Sequence, residues 1–290
     1  MLTNYKKTAC LLGALSALSF PPVYAFPLFI ISLCLALKIT DNVKNMKQSF
    51  LMGYCFGITY FIVGFYWICN ALLVDFLTFG WLYPISLIAI GLFFGLFMVP
   101  PFLIWYITRQ QHMWIKISSF ASVWVLSELL RSFILTGFPW NLLGTIFAFH
   151  EVFIQSASIW GTYGLSFIAL IITGCVYAFF SGNKKSAIIS LCAILSFLII
   201  FGLFRVNKYE IIDSNVKVRL VQPSILQSMK WDRNELENNF KQYIDLSAKD
   251  GLESKEALSR NEKYFFMFFC YIKKLYNTYS HYTSIFKRIE

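Results

Sequence analysis

Charge is what this sequence has least of. Only 14% of its 290 residues are charged, against about 25% in soluble domains, which excludes an ordinary water-soluble globule. Histidine is scarce too: His112, His150 and His281 lie far apart and read as loop or interfacial residues rather than metal ligands. No two cysteines have zinc-type spacing and no disulfide framework is visible. Cys10, Cys34, Cys55, Cys69, Cys175 and Cys192 lie inside apolar segments, as buried packing residues do; Cys270 stands apart. There is no glycine-rich phosphate loop, HExxH, GxSxG or EF-hand loop. Nothing therefore points to a nucleotide, a metal or any other cofactor.

What is abundant is apolar sequence, 58% of the chain, with 19% aromatic. The few charges are unevenly spread. Residues 1–204 hold ten Lys/Arg and four Asp/Glu, and residues 205–290 hold fifteen and eleven. The chain thus reads as a long membrane-embedded part followed by a short water-compatible one. The net charge of +10 does not indicate nucleic acid, because most N-terminal positives sit in short loops between apolar runs.

A bilayer core needs about 20 consecutive apolar residues per helix. Uncharged stretches cover 8–37, 48–74, 76–108, 132–150, 152–183 and 186–204, and 117–130 is broken only at Glu128. The expectation is an α-helical polytopic bundle of about six to seven spans over 1–204. Pro21 and Pro22 divide the first stretch into two short helices or a re-entrant hairpin. One set of flanks holds Lys6, Lys7, Lys38, Lys44, Lys47, Arg109, Lys116, Lys184 and Lys185; the other holds Asp75, Arg131 and Glu151. The excess of positive charge on the inner side puts the N-terminus in the cytoplasm and residues after 205 in the periplasm. A signal peptide ending near Val23-Tyr24-Ala25 competes for the N-terminus, but the apolar run continues to Leu37.

Beyond the spans, Val216-Lys217-Val218-Arg219-Leu220 alternates as a half-buried strand does, and Pro223 stops it. Leu236, Phe240, Ile244 and Ala248 then recur at a spacing of four, one face of a helix. Strand, loop and helix open an α/β domain over 205–248, although one of each cannot close a core. From about Lys249 the pattern fails, and 249–290 reads as a divergent tail; a frameshift near 248–250 would account for it.

Candidate chemistry is sparse. Glu128 and Arg131 lie three apart, share a helix face and can pair, and ionisable groups at membrane depth are functional by default. The competing reading is a pair near the outer interface that anchors the helix end. Gly137-Phe138-Pro139-Trp140-Asn141 breaks two apolar runs, and its aromatics suit a headgroup-level loop. Gly161-Thr162-Tyr163-Gly164 opens the next span. A solute transporter would need polar residues in several spans, and only Glu128, Arg131, Asn70 and Asp75 offer any.

Taken together these segments resemble the bacterial apolipoprotein N-acyltransferases. The resemblance rests on Glu128 through Gly144, on Gly161 through Phe167 and on Val221 through Asp232, in that order, and it covers about residues 1–248. It implies an inner-membrane enzyme whose helical bundle carries a nitrilase-like αββα domain. The family moves an acyl chain from a phospholipid donor to the N-terminal amine of a diacylglyceryl apolipoprotein. It uses a cysteine nucleophile through a thioester, with a glutamate base and a lysine at the oxyanion. Trp231 matches a position near the active-site entrance suited to lipid or substrate contact, and Trp140 with its loop is the other candidate substrate-binding residue. Ser224 departs from the Asn or Asp usual in relatives. The catalytic roles carry over to no residue here. Glu262 lacks the Trp-Pro-Glu strand context, Cys270 comes too early, and the lysine and cysteine segments would lie beyond residue 290. The chain therefore reads as a C-terminally truncated relative, lacking its catalytic residues but able to retain lipid or lipoprotein binding.

Overall fold

The computed structural model describes residues 5–208, 222–225, 229–230 and 232–248, which fall into two units divided near residue 211. The first unit is all helical. Two short helices, α1 (Tyr5–Ala17) and α2 (Phe26–Asp41), pack on each other across a turn containing a cis Pro21–Pro22 bond. At 1.5 Å per residue they reach roughly 20 and 24 Å, short of the ~30 Å hydrocarbon core. The first apolar stretch is thus a pair of short helices.

Next come α3 (Met46–Cys69), the single turn α4 (Phe76–Phe79), α5 (Leu82–Gly95) and α6 (Val99–Ile107). Asn45 caps α3 by accepting from Gln48 N (3.0 Å), while the Gln48 side chain accepts from Lys44 N (2.8 Å). A 3-10 turn at Leu96–Met98 joins α5 to α6, and Pro100-Pro101 sit in the first turn of α6, where proline displaces no helical bond. The bundle is completed by α7 (Met113–Arg131), the turn α8 (Glu151–Ile154), α9 (Ala157–Phe180) and α10 (Lys184–Lys208).

Among the described residues five helical lengths are long and apolar enough to cross a membrane: Met46–Leu73, Leu82–Gln110, Met113–Arg131, Ala157–Phe180 and Lys184–Lys208. The stretch 132–150, equally apolar in sequence, is not one of them. It folds as two 3-10 segments, Ile134–Thr136 and Leu143–Phe149, joined by the Gly137–Asn141 break. Gly161 also differs from expectation: α9 already starts at Ala157, and Gly161 (φ 66°) kinks it within its first turns.

Helix α3 is central, packing on α1, α5 and α6. Its buried Phe56 and Tyr60 interlock with Phe102 and Trp124 at ring separations of 5.3–6.5 Å. The approach to α5 is close enough to demand glycine, since a Cβ on Gly57 would lie 2.6 Å from Gly95 O and 2.9 Å from Gly95 Cα. The second unit contains α11 (Leu236–Ala248), tied by Gln242 Nε2 to Pro223 O (3.0 Å) and by Asn239 Nδ2 to Met229 O (2.9 Å). Leu236, Phe240 and Ile244 share its exposed apolar face. The strand expected at 216–220, like the tail from residue 249, lies outside the described residues.

Gly57→Leu is expected to force α3 and α5 apart and to cost about 1–3 kcal/mol, the range for overpacking a filled interface. The denaturation midpoint in detergent measures it. Cys192→Leu on the exposed side of α10 is the matched control and should leave the midpoint unmoved.

Candidate functional site

Where the C-terminal end of α7 meets the 132–150 segment, two ionisable side chains are buried together. Glu128 and Arg131 are each only 2% exposed. Their i, i+3 spacing does place both on the inward face, as expected. They do not form an ion pair, however; each takes hold of the loop backbone instead. Glu128 Oε1 accepts from Leu143 N (2.8 Å) and from Trp124 Nε1 (3.2 Å). Arg131 Nη1 donates to Trp140 O (2.6 Å), and its guanidinium lies 5.3 Å from the Phe61 ring and 5.7 Å from that of Phe65. Glu128 Oε2, Arg131 Nε and Tyr60 OH make no hydrogen bond among the described residues.

Two further side chains finish this clasp. Asn141 Nδ2 donates to Gly64 O on α3 (2.7 Å), and Ser166 Oγ on α9 accepts from Gly144 N (2.8 Å). Gly144 meets α9 so closely that a Cβ would stand 2.2 Å from Thr162 O. Leu135, Thr136, Gly137 and Asn141 all have positive φ, a strained run that persists only where surrounding contacts over-determine it. The loop is therefore rigidly held from three helices, α3, α7 and α9.

Trp140 is half-buried and its ring stands 5.4 Å from that of Trp67 at 64°. On the other side of the loop, Phe93 and Phe94 of α5 and Phe97 of the following 3-10 turn face Ile134–Phe138 across a cleft of about 310 Å³. Arg131 forms part of its wall; Trp140 does not. Trp231, the other expected substrate-binding residue, lies outside the described residues, as do Glu262 and Cys270, while Ser224 has a positive φ of 52°. His150 serves the fold, its Nδ1 accepting from Val152 N (3.2 Å). Sequence reasoning missed Ser166 and Asn141 as holders of the loop. Both lie inside conspicuous motifs, and an asparagine next to a Pro-Trp break was the available signal.

Residues 12–175 match the family model described as the apolipoprotein N-acyltransferase N-terminal domain. Apolipoprotein N-acyltransferase of Rickettsia typhi is 38% identical over 244 residues, 82% of this chain and 48% of that protein. The protein of the same name from Rickettsia prowazekii is 38% identical over 262 residues, 88% and 51% of the two chains. That of Brucella melitensis is 31% identical over 260 residues, 85% and 49%. The chain spans about half the length of the curated relatives it matches.

Glu128→Leu is expected to leave Leu143 N–H and Trp124 Nε1–H buried without acceptors, at about 1–3 kcal/mol per orphaned donor. Glu128→Gln keeps an acceptor oxygen and should lose well under half as much. Chemical denaturation, followed by tryptophan fluorescence, ranks the two; equal losses would show that the carboxylate does not hold the loop.

Proposed function

Because this chain belongs to the apolipoprotein N-acyltransferase family, we propose that its helical unit is the lipid-holding half of the acyl-transfer apparatus. It holds one acyl chain of a phospholipid donor beside the clasped loop, at the outer-leaflet end of the bundle. The observation that carries this reading is the apolar cleft between α5 and Ile134–Phe138, with Arg131 among its lining residues. An acyl chain matches the phenylalanine lining, and a guanidinium suits ester or phosphate oxygens at the end of that chain. Trp140 braces the loop from behind through Trp67. Trp231 is assigned a substrate-contact role on the family resemblance alone.

The family chemistry requires a thiolate, a base and an oxyanion donor. We assign none of those roles to a described residue; on this reading the helical unit binds the donor and does not itself transfer the acyl group. Membrane orientation follows from charge. Five crossings after a hairpin that returns to its own side leave Lys208 opposite the N-terminus. With the lysine-rich ends in the cytoplasm, residues 222–248 are periplasmic in the inner membrane.

Incubated with an alkyne-tagged phospholipid and a diacylglyceryl-cysteine peptide, the purified chain is expected to give no N-acylated peptide; product would overturn the non-catalytic reading. A photo-crosslinkable phospholipid should label peptides containing 93–97 and 134–138. Trp140→Ala should cut that labelling about tenfold, equivalent to ~1.4 kcal/mol. Labelling spread evenly around the bundle would exclude a defined acyl site.

Orientation has its own measurement. A membrane-impermeant maleimide applied to spheroplasts should modify a cysteine placed at Asn238 and spare one placed at Asn183. The reverse pattern would invert the proposed topology.

A further inference from the structure

At the end of the bundle away from the clasped loop, one carboxylate gathers donors from three helices. Asp41, the last residue of α2, accepts from Trp105 Nε1 of α6 at 2.9 Å on Oδ1. The same oxygen takes Lys116 Nζ of α7, and Oδ2 takes the Tyr177 hydroxyl of α9. Lys116 Nζ also lies 4.0 Å from the Trp105 ring centroid, and the Trp105 and Tyr177 rings meet edge to face at 5.0 Å. Lys116, Tyr177 and Trp105 are all buried. An acid at a helix C-terminus faces the negative end of the dipole, an unfavourable place unless a cation answers it.

We propose that Asp41, Lys116, Trp105 and Tyr177 form a polar latch that fixes the C-terminal end of α2 to α6, α7 and α9, while α1 is held by its packing on α3 and by Thr59 Oγ1 on Cys10 O (2.6 Å). In lipid, apolar surfaces gain little by meeting one another, so helix docking depends on close packing and on polar ties. Helix α2 buries Phe29, Leu33, Ala36 and Leu37, but its polar side-chain ties to other spans are few: Asp41 with its donors, and Cys34 Sγ on Thr173 O at 3.5 Å. Thr40 bonds within its own helix, to Ala36 O. Neither α1 nor α2 is long enough to be set in place by the bilayer alone. The latch therefore determines where α2 stops and which way it faces. Cys34, two turns below Asp41 and against α9, reports on whether the latch is closed.

The test uses the full chain in lipid nanodiscs with Cys34 as the sole cysteine, labelled by a membrane-permeant maleimide. Asp41→Ala and Lys116→Met are expected to raise the labelling rate about 5- to 30-fold, the factor that one or two kcal/mol of lost docking gives. Tyr177→Phe, which removes one donor of three, should raise it less. A parallel series carries Cys69 alone, buried at the far end of α3, and its rate should not change. Unchanged Cys34 labelling in both Asp41→Ala and Lys116→Met would overturn the latch. So would an equal rise at Cys69, because that is loss of the whole bundle rather than release of α2.

Discussion

A backbone that leaves helical geometry among membrane spans must still find a partner for every N–H and C=O, because hydrocarbon offers none. The end of this bundle that carries the 132–150 segment is arranged around that constraint. Between Ser132 and His150 the chain has no continuous helix, yet Leu143, Gly144, Ile146 and Phe147 are buried. Glu128, Ser166, Arg131 and Asn141 each exchange a hydrogen bond with backbone in or beside this segment. An ionisable residue at membrane depth is first suspected of carrying protons or substrate. Here the acid and the base first hold a loop in a strained conformation, and only Arg131 also faces a cleft.

The same scarcity of partners explains how the spans are joined. The ionisable side chains gather at the two ends, in the loop clasp at one and the Asp41 cluster at the other, and single hydroxyl ties such as Thr59 Oγ1 to Cys10 O (2.6 Å) join helices between them. Most of the contact between them is aromatic, through Phe56, Tyr60, Phe102 and Trp124, and glycine lets α3 and α5 touch backbone to backbone. Dispersion across such contacts is sensitive to fit, and the polar groups at the ends fix register where packing alone permits sliding.

How legible this was in the sequence depended on the range of the interaction. Span positions follow from runs of apolar residues, and the amphipathic spacing of Leu236, Phe240 and Ile244 marked α11 correctly. Hydropathy failed at 132–150 because it measures partition into an apolar phase, which a buried irregular segment satisfies as well as a helix does. The Gly137–Asn141 break was the contrary signal, and it was visible. Glu128 and Arg131 were rightly placed on one face, but spacing along a helix cannot say that each would prefer the loop backbone to its neighbour. Asp41 was missed because its partners stand 64, 75 and 136 residues away, beyond any local pattern. Lys116 was read only as a marker of membrane side.

The cysteines of the helical unit lie in surroundings that do not favour nucleophilic chemistry. A nucleophilic thiol needs access and an electropositive setting to ionise, whereas a cysteine enclosed by apolar side chains is an inert packing residue. Cys69 and Cys175 are buried in that manner, and Cys34 spends its thiol on Thr173 O. The spans are thus poorly suited to supply the attacking group and well suited to hold hydrocarbon. The curated relatives continue for about as many residues again. A rigid loop is the useful contribution of the membrane half. In the proposed lipid-holding role, a loop clasped from α3, α7 and α9 would present an ester at a fixed height without itself taking part in bond making.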